Sequence, residues 1–142
     1  MASQFGNVDL DNLNYEVDET VGNRSYHNSK LMNILFTKEL SRRWSDIGVT
    51  SFSLHPGFVR TNIFNDLPGA SFMVSLAFLV GKNNLQGAQT SLYLSCEPGI
   101  EHMSGEYFVD CKATTRWMNK TQAMDEVLCA GLWDKSAQLV GI

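Results

Sequence analysis

Ser25-Tyr26-His27-Asn28-Ser29-Lys30-Leu31-Met32-Asn33-Ile34-Leu35-Phe36-Thr37-Lys38-Glu39-Leu40-Ser41-Arg42-Arg43 contains neither proline nor glycine. It is rich in Leu, Met, Lys, Glu and Arg, residues that lose little freedom in a helix, so the composition predicts a helix over residues 23–44. Asn23 or Ser25 is suited to cap its start, and Arg42 and Arg43 suit the negative end of its dipole. Leu31, Met32, Ile34, Leu35, Phe36 and Leu40 cover most of the circumference, which predicts a largely buried helix.

Tyr26 and Lys30 stand four residues apart and therefore share one face of that helix, a turn between them. Asn33 and Thr37 continue the stripe. A free tyrosine titrates near 10 and is a poor proton carrier at neutral pH, whereas an ammonium one turn away favours the phenolate. A helix with this spacing can make a tyrosine acid/base. The same spacing equally describes an aromatic ring packed on a lysine stem, and the pair alone does not choose between them.

Composition narrows the class. The chain has 142 residues, 44% hydrophobic and 18% charged, with a net charge of −4. That suits one folded domain with a core, and it argues against disorder and against nucleic acid as the partner. No segment reaches the ~18 continuous apolar residues of a membrane span, and Met1 is not followed by a signal-peptide pattern. Cys96, Cys111 and Cys129 are odd in number and widely spaced. They read as buried free thiols of a reducing compartment rather than as metal ligands or a disulfide.

Residues 1–22 are polar and acidic and read as a surface loop. Val49-Thr50-Ser51-Phe52-Ser53-Leu54 is short, β-branched and aromatic, and predicts a buried parallel strand that His55-Pro56-Gly57 terminates. His55 reads more readily as a packed histidine than as a catalyst. In open α/β sheets ligands bind beyond the carboxyl ends of strands, which marks residues 56–62 as a ligand-facing loop. Residues 67–81 hold an apolar run too short to cross a bilayer. Residues 84–96 predict an amphipathic helix, 105–110 a last strand, and 121–139 a C-terminal helix.

Tyr26-His27-Asn28-Ser29-Lys30 with its continuation to Arg43, then Gly48-Val49-Thr50, then Leu54-His55-Pro56-Gly57-Phe58-Val59-Arg60-Thr61, resembles the short-chain dehydrogenase/reductase family. The likeness is strongest to its retinol dehydrogenase and WW-domain oxidoreductase branch. Gln86-Gly87-Ala88-Gln89-Thr90-Ser91, Gly105 and Leu132-Trp133 continue the match in order.

The resemblance implies an α/β fold, the second half of a Rossmann-like doubly wound parallel sheet. It implies a single partial domain: a loop over 1–22, the Tyr/Lys helix over 23–44, a strand and nicotinamide loop over 49–62, a substrate lid over 67–81, and a helix–strand–helix over 84–142. It implies NADP or NAD as cofactor, with NADP favoured. Tyr26 would carry the proton and Lys30 would bond the nicotinamide ribose. Pro56, Gly57, Val59 and Thr61 would frame the nicotinamide. The substrate would be a lipophilic alcohol or carbonyl such as a retinoid or steroid.

The family's glycine-rich dinucleotide turn, its Asn-Asn-Ala-Gly stretch and its catalytic serine do not occur in these 142 residues, and neither Ser3 nor Ser25 is placed to replace that serine. The expectation is therefore a truncated form with exposed apolar surface and an open sheet edge, prone to self-association or to pairing with a full-length relative. The alternative is a catalytically silent isoform acting as an interaction module. The expected location is intracellular, cytoplasmic or at the cytoplasmic face of an internal membrane, with peripheral membrane contact through the apolar lid.

Overall fold

A computed structural model describes residues 2–14, 22–60, 81–116 and 118–142. The long helix is present as α1, Gly22–Trp44. It begins at Gly22, so Asn23 and Ser25 lie inside it and neither caps it. A 3₁₀ turn, Ser45–Ile47, follows it and ends at Gly48, whose φ of 77° turns the chain left-handed, a conformation glycine adopts without steric cost. The helix is not buried all round. Asn28, Leu31, Ile34, Leu35 and Glu39 form its buried stripe, whereas Lys30, Asn33 and Phe36 face outward.

The buried Glu39 carboxylate is satisfied by both terminal arginines: Arg42 donates at 2.6 and 2.9 Å, and Arg43 donates as well. The Arg42 guanidinium holds the Glu39 carboxyl below the usual carboxylate range, against the opposing effect of burial. Removing one partner of such a pair would strand the other.

Residues 2–14 depart from the expected surface loop. Two short 3₁₀ turns, Ala2–Phe5 and Leu10–Asn12, flank an extended stretch in which Ser3 and Val8 are buried. Two carboxamides read its backbone. Asn28 accepts from Asn7 N–H at 2.8 Å and donates to Asn7 C=O at 2.7 Å. Gln122 does the same for Val8, at 2.7 and 3.0 Å. These bonds satisfy main-chain groups that would otherwise be costly to bury, which is why a polar segment can lie in the core.

Gly6 presses on α1 so closely that a Cβ there would sit 2.8 Å from the His27 carbonyl oxygen and 2.8 Å from Leu31 Cβ. Gly6→Ala should therefore cost about 1–3 kcal/mol. Gly131→Ala meets only the mobile tip of Leu10 at 2.6 Å and gains up to about 1 kcal/mol of helix propensity. Urea midpoints of the two variants should move in opposite directions or differ by that margin. Equal midpoints would contradict the packing described for Gly6.

The sheet has three strands in the order β1, Ser53–His55; β2, Tyr107–Val109; and β3, Lys112–Ala113. β1 and β2 are parallel, with Ser53 opposite Tyr107 and His55 opposite Val109. β3 is antiparallel to β2, so the sheet is mixed. The strand expected over 49–54 is shorter and shifted. Ser51 turns its N–H to Ser104 Oγ at 3.0 Å instead of to a strand, and the ladder begins with Ser53 N–H on the Glu106 carbonyl. β3 was not expected, because Asp110 and Cys111 make its left-handed turn at φ of 51° and 60° where Asn-Gly would be the usual signal.

Helix α2, Asn84–Cys96, matches its expectation and opens with a capping box between Asn83 and Gln86. The C-terminal helix expected as one piece is two: α3, Lys120–Ala123, and α4, Glu126–Val140. Asp125 interrupts it by capping α4 through Leu128 N–H at 3.0 Å. Val8, Leu31, Ile34, Leu35, Tyr107, Met118, Ala123, Cys129 and Leu132 form the main core. Trp133 of α4 stacks on Phe36 at 4.9 Å and meets Trp44 edge-on.

The cysteines do not share one environment. All are free, but only Cys129 is buried; Cys111 sits half-buried in its turn and Cys96 is exposed at the end of α2. Among the described residues no helix is long and apolar enough to cross a membrane.

Candidate active site

A cleft of about 480 Å³ opens where β1 ends, between its carboxyl end and α1. Tyr26, Lys30, Asn33 and Thr37 line it from the helix. Ser53, His55, Pro56 and Gly57 line it from the strand and its turn. Ile34, Phe52 and Leu54 supply apolar wall. Helical spacing thus brings four residues of one stripe to one place, and the strand end meets them.

Lys30 Nζ lies 5.2 Å from the centroid of the Tyr26 ring, within the range of a cation–π contact. Tyr26 is 55% exposed. Among the described residues neither the Tyr26 hydroxyl nor the Lys30 ammonium makes a hydrogen bond, so both have their hydrogen-bonding capacity free for a ligand.

The second tyrosine of the cleft differs. Tyr107 is 3% exposed, burial pushes its phenol above the ordinary tyrosine range, and a hydrogen bond with Ser3 opposes that shift. It is held as a structural phenol.

His55 governs the turn. Its Nδ1 accepts the Gly57 N–H at 2.7 Å, which places the ring proton on Nε2 and fixes Pro56 and Gly57 against the strand end. Burial holds the His55 imidazole below its ordinary range; the Lys82 ammonium acts the same way and Asp110 opposes it. The sign follows from linkage. Below about 6.5 the unfolded histidine takes up a proton that the folded one resists, so stability falls as pH falls through that value. Urea unfolding at pH 7.5 and 5.5 should show this slope, and His55→Asn should flatten it. An unchanged slope in the variant would remove His55 as its source.

Among the described residues Ser53 Oγ is buried with no hydrogen-bond partner, and its residue lines the cleft. Such orphaned hydroxyls are uncommon and point to an occupant or water that completes them. Val59 does not line the cleft. It forms a parallel bridge with Lys82 and packs on Gly87 of α2, where a Cβ would meet it at 2.7 Å. Thr61 and all but the last residue of the expected lid over 67–81 lie outside the described residues. The roles of His55, Ser53 and Lys82 were not visible in the sequence; the one available signal is that a histidine two residues before a glycine can reach its N–H.

A separate cavity of about 390 Å³, lined by Lys38, Arg42, Glu106 and Cys129 among others, includes neither Tyr26 nor the turn. Its lining is the richer in charged groups but offers no such convergence of proton carrier and strand end. Among the described residues no group of His, Cys, Asp and Glu is placed to hold a metal ion.

No protein-family model matches the chain. Individual proteins do. Retinol dehydrogenase 14 of Mus musculus is 44% identical over 147 residues, which cover 98% of this chain and 42% of that protein. Retinol dehydrogenase 11 of Homo sapiens is 38% identical, covering 100% and 43%. Short-chain dehydrogenase TIC 32 A, chloroplastic, of Brassica napus is 38% identical over 120 residues, covering 82% and 37%. The chain therefore spans less than half the length of these relatives. Identity of this level along the whole chain, joined to the Tyr26–Lys30 cleft at a strand end, assigns it to the short-chain dehydrogenase/reductase family, in the retinol dehydrogenase-like branch.

Proposed function

We propose that this chain carries the proton-transferring, nicotinamide-facing part of an NAD(P)-dependent oxidoreductase acting on a lipophilic alcohol or carbonyl. The observation that supports it is the meeting of Tyr26, Lys30 and the Pro56–Gly57 turn in one cleft beyond β1. The cleft suits the nicotinamide end of a dinucleotide. It offers free donors at Tyr26 and Lys30, an unpartnered buried hydroxyl at Ser53, and apolar wall for a flat ring.

Lys30 would hold the nicotinamide ribose, Pro56 and Gly57 would flank the ring, and Val59 and Thr61 would complete the loop. When bound, the cofactor, NADP in preference to NAD, supplies or receives the hydride. Tyr26 Oη gives a proton to the carbonyl oxygen in reduction and takes it from the alcohol in oxidation. The Lys30 ammonium stands beside the ring, 5.2 Å from its centroid, where it can bond a ligand next to the phenol. Asn33 and Thr37 extend the polar stripe behind them. The names of the relatives direct the substrate to retinol-like alcohols, and the apolar wall of Ile34, Phe52 and Leu54 accords with that. The apolar run over 67–81 would cover the substrate and touch a membrane surface.

The test is conversion of retinaldehyde to retinol with NADPH, measured on this chain and on any longer polypeptide that contains it. Turnover in either supports the assignment. Absence of turnover in both, with saturable NADPH binding also absent, would sink it.

A second role, as an interaction module, is favoured by one observation. Among the described residues β1 pairs only with β2, leaving its other edge open. Such an edge invites a second chain. Gel filtration should then show association that rises with concentration; a monomer at all concentrations would rule this role out.

A further inference from the structure

The Pro56–Gly57 turn is fastened from outside the cleft by residues that the proton transfer does not use. Lys82 Nζ donates to the Pro56 carbonyl at 3.2 Å and also to Asp110 Oδ1. The main chain of Lys82 is itself anchored to the far side of the same loop: its N–H donates to the Phe58 carbonyl at 2.8 Å, and its carbonyl accepts from Arg60 N–H at 2.9 Å. The lysine stem lies directly over the turn. A Cβ on Gly57, which has φ of +87°, would come within 2.9 Å of Lys82 Cε and Nζ.

Asp110 is delivered to this point by an unusual turn. It and Cys111 both adopt the left-handed conformation without being glycine, which sterics disfavour and which persists only where the surroundings enforce it. The enforcement is visible. Val109 is locked opposite His55 in the parallel ladder, and Cys111 N–H is caught by Thr90 Oγ1 at 3.3 Å. Thr90 is buried in α2. Strain of this kind points to a function for the side chain it aims, and that side chain is the carboxylate on Lys82.

We propose that Lys82 and Asp110 form a clamp that positions the Pro56–Gly57 turn and thereby sets how firmly the cleft holds a nicotinamide. Both are positioning residues, since neither lines the cleft. The second half of the proposal rests on the reading of that turn as nicotinamide-facing; the first half does not.

The test uses the 142-residue chain and amide hydrogen exchange at Gly57, whose N–H is bonded to His55, with Leu132 in α4 as an internal control for global unfolding. In Lys82→Met and in Asp110→Asn, Gly57 exchange should quicken about two- to fivefold, the effect of losing an exposed ion pair, while Leu132 stays unchanged. Lys82→Arg keeps the charge and donors and should restore most of the protection. In parallel, the Kd for NADPH should rise about two- to fivefold in Lys82→Met and recover in Lys82→Arg.

Unchanged Gly57 exchange in both neutral variants overturns the clamp. Equal acceleration at Gly57 and Leu132 also overturns it, because the residues would then support the fold as a whole. The Gly57 response in the variants, together with no saturable NADPH binding by the wild-type chain, upholds the clamp and removes the cofactor reading.

Discussion

Tyr26→Phe should lower kcat by about 10²–10⁴-fold, the range that a positioned proton carrier supplies, in any polypeptide of this sequence that turns over NADPH. That corresponds to about 2.7–5.4 kcal/mol of transition-state stabilisation. The substitution is a clean probe because of where the ring sits. Tyr26 is more than half exposed, and its hydroxyl has no hydrogen bond among the described residues. The ring's contact with Lys30 at 5.2 Å survives in phenylalanine. Folding stability should therefore be unchanged while the rate collapses. Lys30→Met keeps the stem and removes the charge, so it should lower kcat and raise the KM for cofactor together. A Tyr26→Phe enzyme with wild-type kcat would mean that the proton travels through another group.

Phe108→Ala should destabilise the fold by about 3–5 kcal/mol, the usual cost of emptying a fully buried aromatic site. Phe108 is 1% exposed on the central strand, meets Phe52 edge-on at 5.6 Å and lies 6.4 Å from Tyr93 of α2. It joins β1, β2 and α2 on the face of the sheet away from Tyr107. Domains of this kind hold about 5–15 kcal/mol in all, so the loss is a large share. Tyr107→Phe, on the other face, forfeits only the Ser3 hydrogen bond and should cost about 1 kcal/mol. Urea titration with the m-value held constant measures both. Near-equal losses would show that the two faces are not packed as described.

Where periodicity carried the signal, the sequence was readable. The helix α1 and the Tyr26–Lys30–Asn33–Thr37 stripe follow from spacing alone, and α2 follows from Leu85, Ala88, Leu92 and Tyr93 at helical spacing. The readable site is the part built on one helix face and one strand end. What was not readable depends on partners remote in the chain. Residues 2–14 enter the core because Asn28 and Gln122 bond to their backbone across 21 and 114 residues, and no local pattern announces that. The third strand hid behind the Asp110–Cys111 turn, because Cys111 stands where glycine is the usual signal. The last helix breaks at Asp125 because a cap competes successfully with continuation there. His55, read as a packed histidine, is packed, but its Nδ1 also holds the turn.

The most direct measurement of the central claim is a titration of the ¹⁵N-labelled chain with NADPH followed by amide and side-chain resonances. The account predicts saturable shifts that cluster on Tyr26, Lys30, Ser53 and Gly57, abolished for Lys30→Met. Saturable shifts confined to the cavity around Lys38, Arg42 and Cys129, with the Tyr26–Gly57 cleft silent, would contradict it.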